Sequence, residues 1–353
     1  MYTRKRRSPD PWFQPTQLFP EIFDISSMDS SGRPIKFLDL VRERIRLRHL
    51  SYTTEKSYVA WIRRFIIFHG KMHPKEMGEE HIVAFLSDLA VRRNCSPGTQ
   101  NQALNALVFL FRHVLNRDVG EFKGIMWSRR KRRVPEVMTR EEVASVLREL
   151  RYHPQKWLIG CLMYGCGLRL SEALHIRVKD IDFGQGFIAI RDAKGNKDRI
   201  VPLPKRLVGP LRKQLLVAEG IHRNDIKAGY GRVSLPFALS KKYPNADREW
   251  AWQYIFPSTK LSRDPRSGDI KRHHIFDTFM DNAVKRAAHA AGLSKRITCH
   301  TFRHSFATHL LENGRDIRLI QELLGHSDVK TTMIYTHVAK SPVPRVVSPI
   351  DEL

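Results

Sequence analysis

The sequence predicts a mainly α-helical protein with a small β-sheet, of the α+β class. Three observations predict it. Four segments with helical spacing of apolar residues follow one another within about 80 residues after residue 35. One stretch, GFIAIRDAKGNKDRIVPLP, alternates apolar residues on both sides of a Lys-Gly-Asn turn and reads as a β-hairpin. Helical patterns then return from Pro204 to Glu219 and again from about Ile275.

Residues 1–35 lack hydrophobic periodicity and cluster Pro, Ser and Asp, which predicts a disordered arm. A small helical domain follows over 36–120. In FLDLVRERIRLRHLS the side chains of Phe37, Leu40, Val41, Ile45 and Leu47 fall roughly on one side. TTEKSYVAWIRRFIIFHG has Thr53 or Thr54 as its cap and Gly70 as its stop. GEEHIVAFLSDLAVRR is the third helix. The fourth is opened by Ser96, with Pro97 at the first helical position. A basic linker spans 121–138, where Arg129, Arg130, Lys131, Arg132 and Arg133 run together just before Pro135. Such a run serves as a solvated strap, as a contact to a DNA backbone, or as both. The second domain, 139–340, opens on a capping box, Thr139 with Glu142, and residues 341–353 form a tail.

The chain has 353 residues, which predicts two or three domains, and a formal net charge of +25. That excess calls for a polyanionic partner, nucleic acid before membrane. No apolar run approaches the roughly 18 residues of a membrane span. The start, MYTRKRRSPDPWF, is basic without an apolar segment behind it, so it does not read as a secretory signal. Cys95, Cys161, Cys166 and Cys299 show no zinc spacing and read as free thiols in a reducing compartment.

Three segments carry candidate chemistry. GCGLRLSEAL sets Arg169 beside a glycine turn, with a helix beginning near Ser171. TCHTFRHSFATHLLENG sets His300 and Arg303 three apart, on one helical face. LIQELLGHSDVKTTMIYTHV ends a helix at Gly325, a left-handed cap, and follows it with His326. A new helix capped by Ser327 or Asp328 then carries Tyr335 two turns in. Guanidinium groups match the oxygens of a phosphodiester, histidines donate hydrogen bonds or move protons, and a positive field favours a phenolate. Attack by Tyr335 would give a phosphotyrosine, and Lys194 or Lys197 of the hairpin turn offers the proton for the departing oxygen. His300 and His304, four apart, also suggest zinc, but the HExxH arrangement is missing. The last segment alone also fits a helix-turn-helix of a non-catalytic DNA-binding protein.

In this order the residues resemble the tyrosine recombinase family: an arginine in GLRxSE, a lysine in a hairpin, HxxR, LGH, and a tyrosine nine residues on. The resemblance covers about residues 36–340. It implies a two-domain, C-shaped DNA clamp, with a helical core-binding domain and a tyrosine-recombinase catalytic domain. It implies that Arg169, Lys194, His300, Arg303, His326 and Tyr335 are catalytic, choosing Lys194 over Lys197. It also implies a tetrameric synapse, no metal and no nucleotide cofactor. A narrower resemblance, to integron integrases, lies in an insert at about 236–275 with WQYIFPS, DPRSG and KRHH. It implies a cytoplasmic bacterial enzyme that moves gene cassettes between a duplex site and folded single-stranded sites. Trp252, Pro265, Arg272, His273 and His274 would then hold protruding bases by stacking and charge. The rival expectation is a recombinase of duplex sites only.

Overall fold

The computed structural model describes residues 36–117, 135–191, 198–236, 239–265, 267–326 and 328–337. The predicted arm, Arg129, Arg130, Lys131, Arg132, Arg133, Lys194, Lys197 and the tail lie outside the described residues. The chain divides near residue 132 into two compact units, each with its own core.

The first unit is helical: α1 (Phe37–Leu47), α2 (Tyr52–Phe68), α3 (Glu79–Val91) and α4 (Pro97–Phe109). α1 buries Leu40, Val41 and Ile45. Leu47, expected on that face, is 60% exposed, because two residues beyond Ile45 is more than half a turn round the helix. Ser51, not Thr53 or Thr54, caps α2: its side chain accepts from the Thr54 amide, so the threonine is the third helical residue rather than the cap. Ser96 caps α4 with Pro97 first, and the helix loosens into a π-helical turn over Leu110–Val114. Trp61, Ile62 and Phe65 meet Phe85 and Leu107 in the core. Arg46 grips the buried carboxylate of Glu55 with two hydrogen bonds at this core's edge.

The second unit begins with α5 (Arg140–Leu150), α6 (Pro154–Gly165) and α7 (Leu170–His175). The predicted box opens α5: the Thr139 side chain accepts from Glu142, whose carboxylate accepts in return. An antiparallel sheet follows in the order β1 (Ile181–Asp182), β2 (Phe187–Ile190), β3 (Arg199–Pro202). Ile188 pairs with Val201 and both are buried, whereas Ile200 faces outward, as the alternation requires. α8 (Lys205–Lys227) outruns the predicted end at Glu219, passing through Gly220. Then come α9 (Leu239–Lys242), β4 (Pro257–Arg263) and β5 (Ile270–His274), of which the two strands make a second antiparallel sheet not expected from sequence. α10 (Asp277–Ala290), α11 (Cys299–Glu312), α12 (Ile317–Leu324) and α13 (Val329–Thr332) complete it. α6, α10 and α11 pack about one core that includes Leu158, Phe256, Val284 and Phe302. No helix among the described residues is long and apolar enough to cross a membrane.

Candidate active site

The site grows from the turn before α7. Gly167 has φ +64°, and a Cβ there would stand 2.5 Å from the Phe306 ring. This turn aims the Gly167 carbonyl at Arg303, whose Nη1 donates to it at 2.7 Å. Arg169 caps α7 and is tied to Glu172 twice. Its amide donates at 2.9 Å and its Nη1 at 2.6 Å.

Glu172 is a hub that the sequence argument passed over. Its carboxylate also accepts from Arg199 Nη1 at 3.0 Å and Nη2 at 2.7 Å, and lies 3.6 Å from Arg303 Nη1. Burial pushes this carboxyl up, but the hydrogen bonds and charge of Arg199, with help from Arg169 and Arg303, win and hold it at about 2. Three guanidinium groups therefore share one fixed negative charge. Arg199 Nε donates further to Leu323 O, so β3 is fastened to the end of α12. That helix ends at Gly325, φ +61°, and Arg199 atoms would lie 3.1 Å from a Cβ there. The only sequence signal for Arg199 was a basic residue entering a strand next to the hairpin turn.

The tyrosine lies close enough to this cluster to feel the charges of Arg303 and Arg169. It lies in a short 3₁₀ turn, Met333–His337, after α13, not two turns into a helix. Its ring packs with Ala307, Ile320 and Leu324 and is 4% exposed. The expectation that positive charge would favour the phenolate is corrected. Burial raises the Tyr335 pKa and outweighs the lowering by Arg303 and Arg169. The phenol is neutral, and its hydroxyl lies 3.0 Å from His304 Nδ1. His326 stacks its ring parallel to that of Tyr335, 6.3 Å between centroids, and uses Nδ1 on Thr332 Oγ1 at 2.9 Å. Burial first, then Arg303, Arg169 and Arg199, hold His326 at about 4. His300 is exposed one turn before His304 on α11, their ring centroids 6.4 Å apart. The structure thus brings Arg169, His300, Arg303, His326 and Tyr335 together. Arg303 is nearly sealed at 3% exposure, while Arg169 keeps part of its guanidinium in solvent.

The insert residues divide. Trp252 is half-buried, with Lys179 Nζ 3.0 Å from its ring centre, and the Pro265 turn is exposed. His273 is half-buried and lies parallel to the exposed ring of Phe276, which sequence reasoning missed. Arg272 and His274 are corrections to the expected nucleic-acid contacts. Arg272 is buried, fork-to-fork with Asp225 and donating to Ser258 O, so its donors are spent inside the fold. His274 is buried against His175, His273 and Tyr254. A cavity of about 510 Å³ separates the first sheet from the insert, and Glu172, Lys179, Arg191, Ser234, Trp252 and Tyr254 are on its wall.

Comparison with known proteins defines the class. Residues 136–341 match the phage integrase family, and residues 37–121 match the phage integrase N-terminal SAM-like domain. An integrase/recombinase of Escherichia coli is 48% identical over 321 residues, covering 91% of this chain and 95% of that protein. The tyrosine recombinase XerA of Thermococcus kodakarensis is 31% identical over 288 residues, covering 81% and 84%. In fold the chain is similar to the XerH site-specific recombinase, crystallised with a palindromic difH substrate, at a TM-score of 0.58 and 21% identity, covering 89% of this chain and 84% of that one. The class is that of enzymes that break and rejoin DNA through a tyrosine. The chain belongs to the phage integrase family of tyrosine site-specific recombinases.

Proposed function

We propose that this recombinase is an integron integrase, which cuts one strand at each of two DNA sites through Tyr335, exchanges the strands and reseals them. Arg169, Arg303, His300 and His326 hold the phosphate under attack, and Lys194 protonates the leaving 5′-oxygen. The covalent 3′-phosphotyrosine conserves the bond energy, so resealing needs no nucleotide. Both units contact DNA, with Arg129, Arg130, Lys131, Arg132 and Arg133 along its backbone, and four copies act in the cytoplasm in one synapse. The observation that carries the finer reading is the insert, whose Trp252 shares a cavity wall with Glu172. Side chains that hold a protruding base there, with Trp252, Pro265 and His273 as candidates, would stand beside the catalytic arginines. The names of the Xer relatives favour a second reading, a recombinase of duplex sites alone.

Two measurements test this. Tyr335→Phe should bind DNA normally and form no covalent complex on a nicked suicide substrate; an adduct that survives sinks the nucleophile assignment. Trp252→Ala should weaken binding to a folded single-stranded cassette site by about ten- to a hundredfold, with the duplex site little changed, at one fixed salt concentration. An equal loss on both substrates would show a structural role for the insert, and a folded site bound as well as by the wild type favours the duplex reading.

A further inference from the structure

The geometry points to His304 as a further catalytic residue: its Nδ1 accepts the phenolic proton of Tyr335 as that oxygen attacks the phosphate. This rests on the proposal that Tyr335 is the nucleophile. Tyr335 has a hydrogen-bond partner in His304 Nδ1, 3.0 Å away, and no other among the described residues. His300 is exposed one turn away on α11, and His326 spends its Nδ1 on Thr332. His304 alone of these three histidines touches the attacking atom.

The charge state fits the task. A base must be unprotonated before the reaction, and burial, then His300 and Arg303, hold His304 at about 4, so its imidazole is neutral at pH 7. The groups that face it are His300 and Arg303 on its own helix, His326 beyond α12 and Tyr335 itself. Tyr335 keeps its proton because burial raises its pKa. A neutral phenol donates well and accepts poorly, so the Nδ1 lone pair is its natural partner and the imidazole proton sits on Nε2. At rest the transfer is uphill. It becomes downhill as the O–P bond forms, because the phenolic oxygen then loses its affinity for the proton. A bound phosphodiester also offsets the charge of Arg303, which raises the basicity of His304 at that moment.

The step balances. The Tyr335 oxygen bonds to phosphorus, its proton passes to His304 Nδ1, and the P–O5′ bond breaks. The 5′-oxygen takes a proton from a separate acid, the role proposed for Lys194. On resealing, a 5′-hydroxyl attacks and gives its proton back to that separate acid, now unprotonated, while His304 returns its proton to the departing tyrosine.

The test is single-turnover cleavage of a suicide substrate whose bridging 5′-oxygen is sulfur, since a thiolate leaves without a proton and the acid drops out. His304→Asn keeps an amide near Nδ1 that can hold the phenol but takes no proton. It should bind the substrate as the wild type does and cleave it slower by on the order of a hundredfold or more, the usual loss for a general base. Its rate should climb by about tenfold per pH unit as hydroxide replaces the missing base, while the wild-type rate stays flat near neutrality. A rate close to wild type, or a loss that does not change with pH, overturns the proposal. If the variant does not fold, the wild type supplies the answer: cleavage of the sulfur substrate should slow by about twofold in D₂O, and an unchanged rate overturns it. Tyr335→Phe on the same substrate separates the two readings. An adduct formed by Tyr335→Phe sinks the nucleophile itself, whereas no adduct with that variant beside normal cleavage by His304→Asn sinks only the base.

Discussion

Arg199 shows how a residue outside the reacting set can govern it. One guanidinium spans both oxygens of Glu172 and the Leu323 carbonyl, and its stem sits against Gly325, the residue before His326. Lysine keeps the charge but cannot form that fork. Arg199→Lys is therefore expected to slow cleavage by on the order of a hundredfold, as misplacement of catalytic groups does, with DNA affinity changed much less. Single-turnover cleavage beside a binding titration checks this; equal losses in both would reduce Arg199 to a general DNA contact. Gly325 is constrained from both sides, by its left-handed backbone and by Arg199. Gly325→Ala should lower stability by about 1–2 kcal/mol, read from chemical denaturation, and should slow cleavage through the displaced His326.

The elements explain why two of the insert residues take a structural part. β5 turns alternate side chains inward, so Arg272 and His274 are buried while His273 between them is only half-buried. The Arg272–Asp225 pair ties the insert's sheet to α8. Removing one partner leaves a buried charge uncompensated, which costs about 3–5 kcal/mol. Arg272→Ala should thus unfold at clearly lower denaturant and weaken binding to folded and duplex DNA alike. His273→Ala should leave stability near wild type, and under the integron reading it weakens only the folded site. A stable Arg272→Ala with a selective loss on folded DNA would restore the contact role that burial argues against.

Across the whole molecule, histidines that are wholly or partly buried set an acid limit. His113 and His304 are held at about 4 and His274 at about 3, in each case by burial first and by neighbouring positive or histidine groups second. Their ordinary value is about 6.5. The folded value is depressed, so the unfolded chain takes up protons first as pH falls. Stability is full above about pH 6.5 and is lost progressively down to about pH 4 for His113 and His304 and to about pH 3 for His274. Glu172 adds a further loss between about 4.5, its ordinary value, and about 2, on the order of 3 kcal/mol. Because His113 belongs to the first unit and the others to the second, both units should melt several degrees lower at about pH 4.5 than at pH 7. Calorimetry at constant ionic strength measures this; melting that does not vary over that range would show these histidines to be solvated.

The sequence by itself determined what depends on near neighbours. Ser96 with Pro97, Thr139 with Glu142, and the left-handed Gly325 were legible because a cap is made within a few residues of itself. The hairpin strands were legible because alternation is a local period, and the order of Arg169, His300, Arg303, His326 and Tyr335 was legible as a family pattern. Tertiary structure decided what depends on distant partners. Glu172 meets Arg199 across 27 positions, His304 meets Tyr335 across 31, and Arg272 meets Asp225 across 47. No local pattern encodes such pairings. The same histidine that looked like half of a zinc site thus became the neighbour of the nucleophile, and an arginine expected on DNA became an internal tie. The surroundings of Tyr335 also became visible only here: counting nearby arginines suggested a phenolate, but desolvation in the apolar cluster of α11 and α12 outweighs them and raises the phenol's pKa.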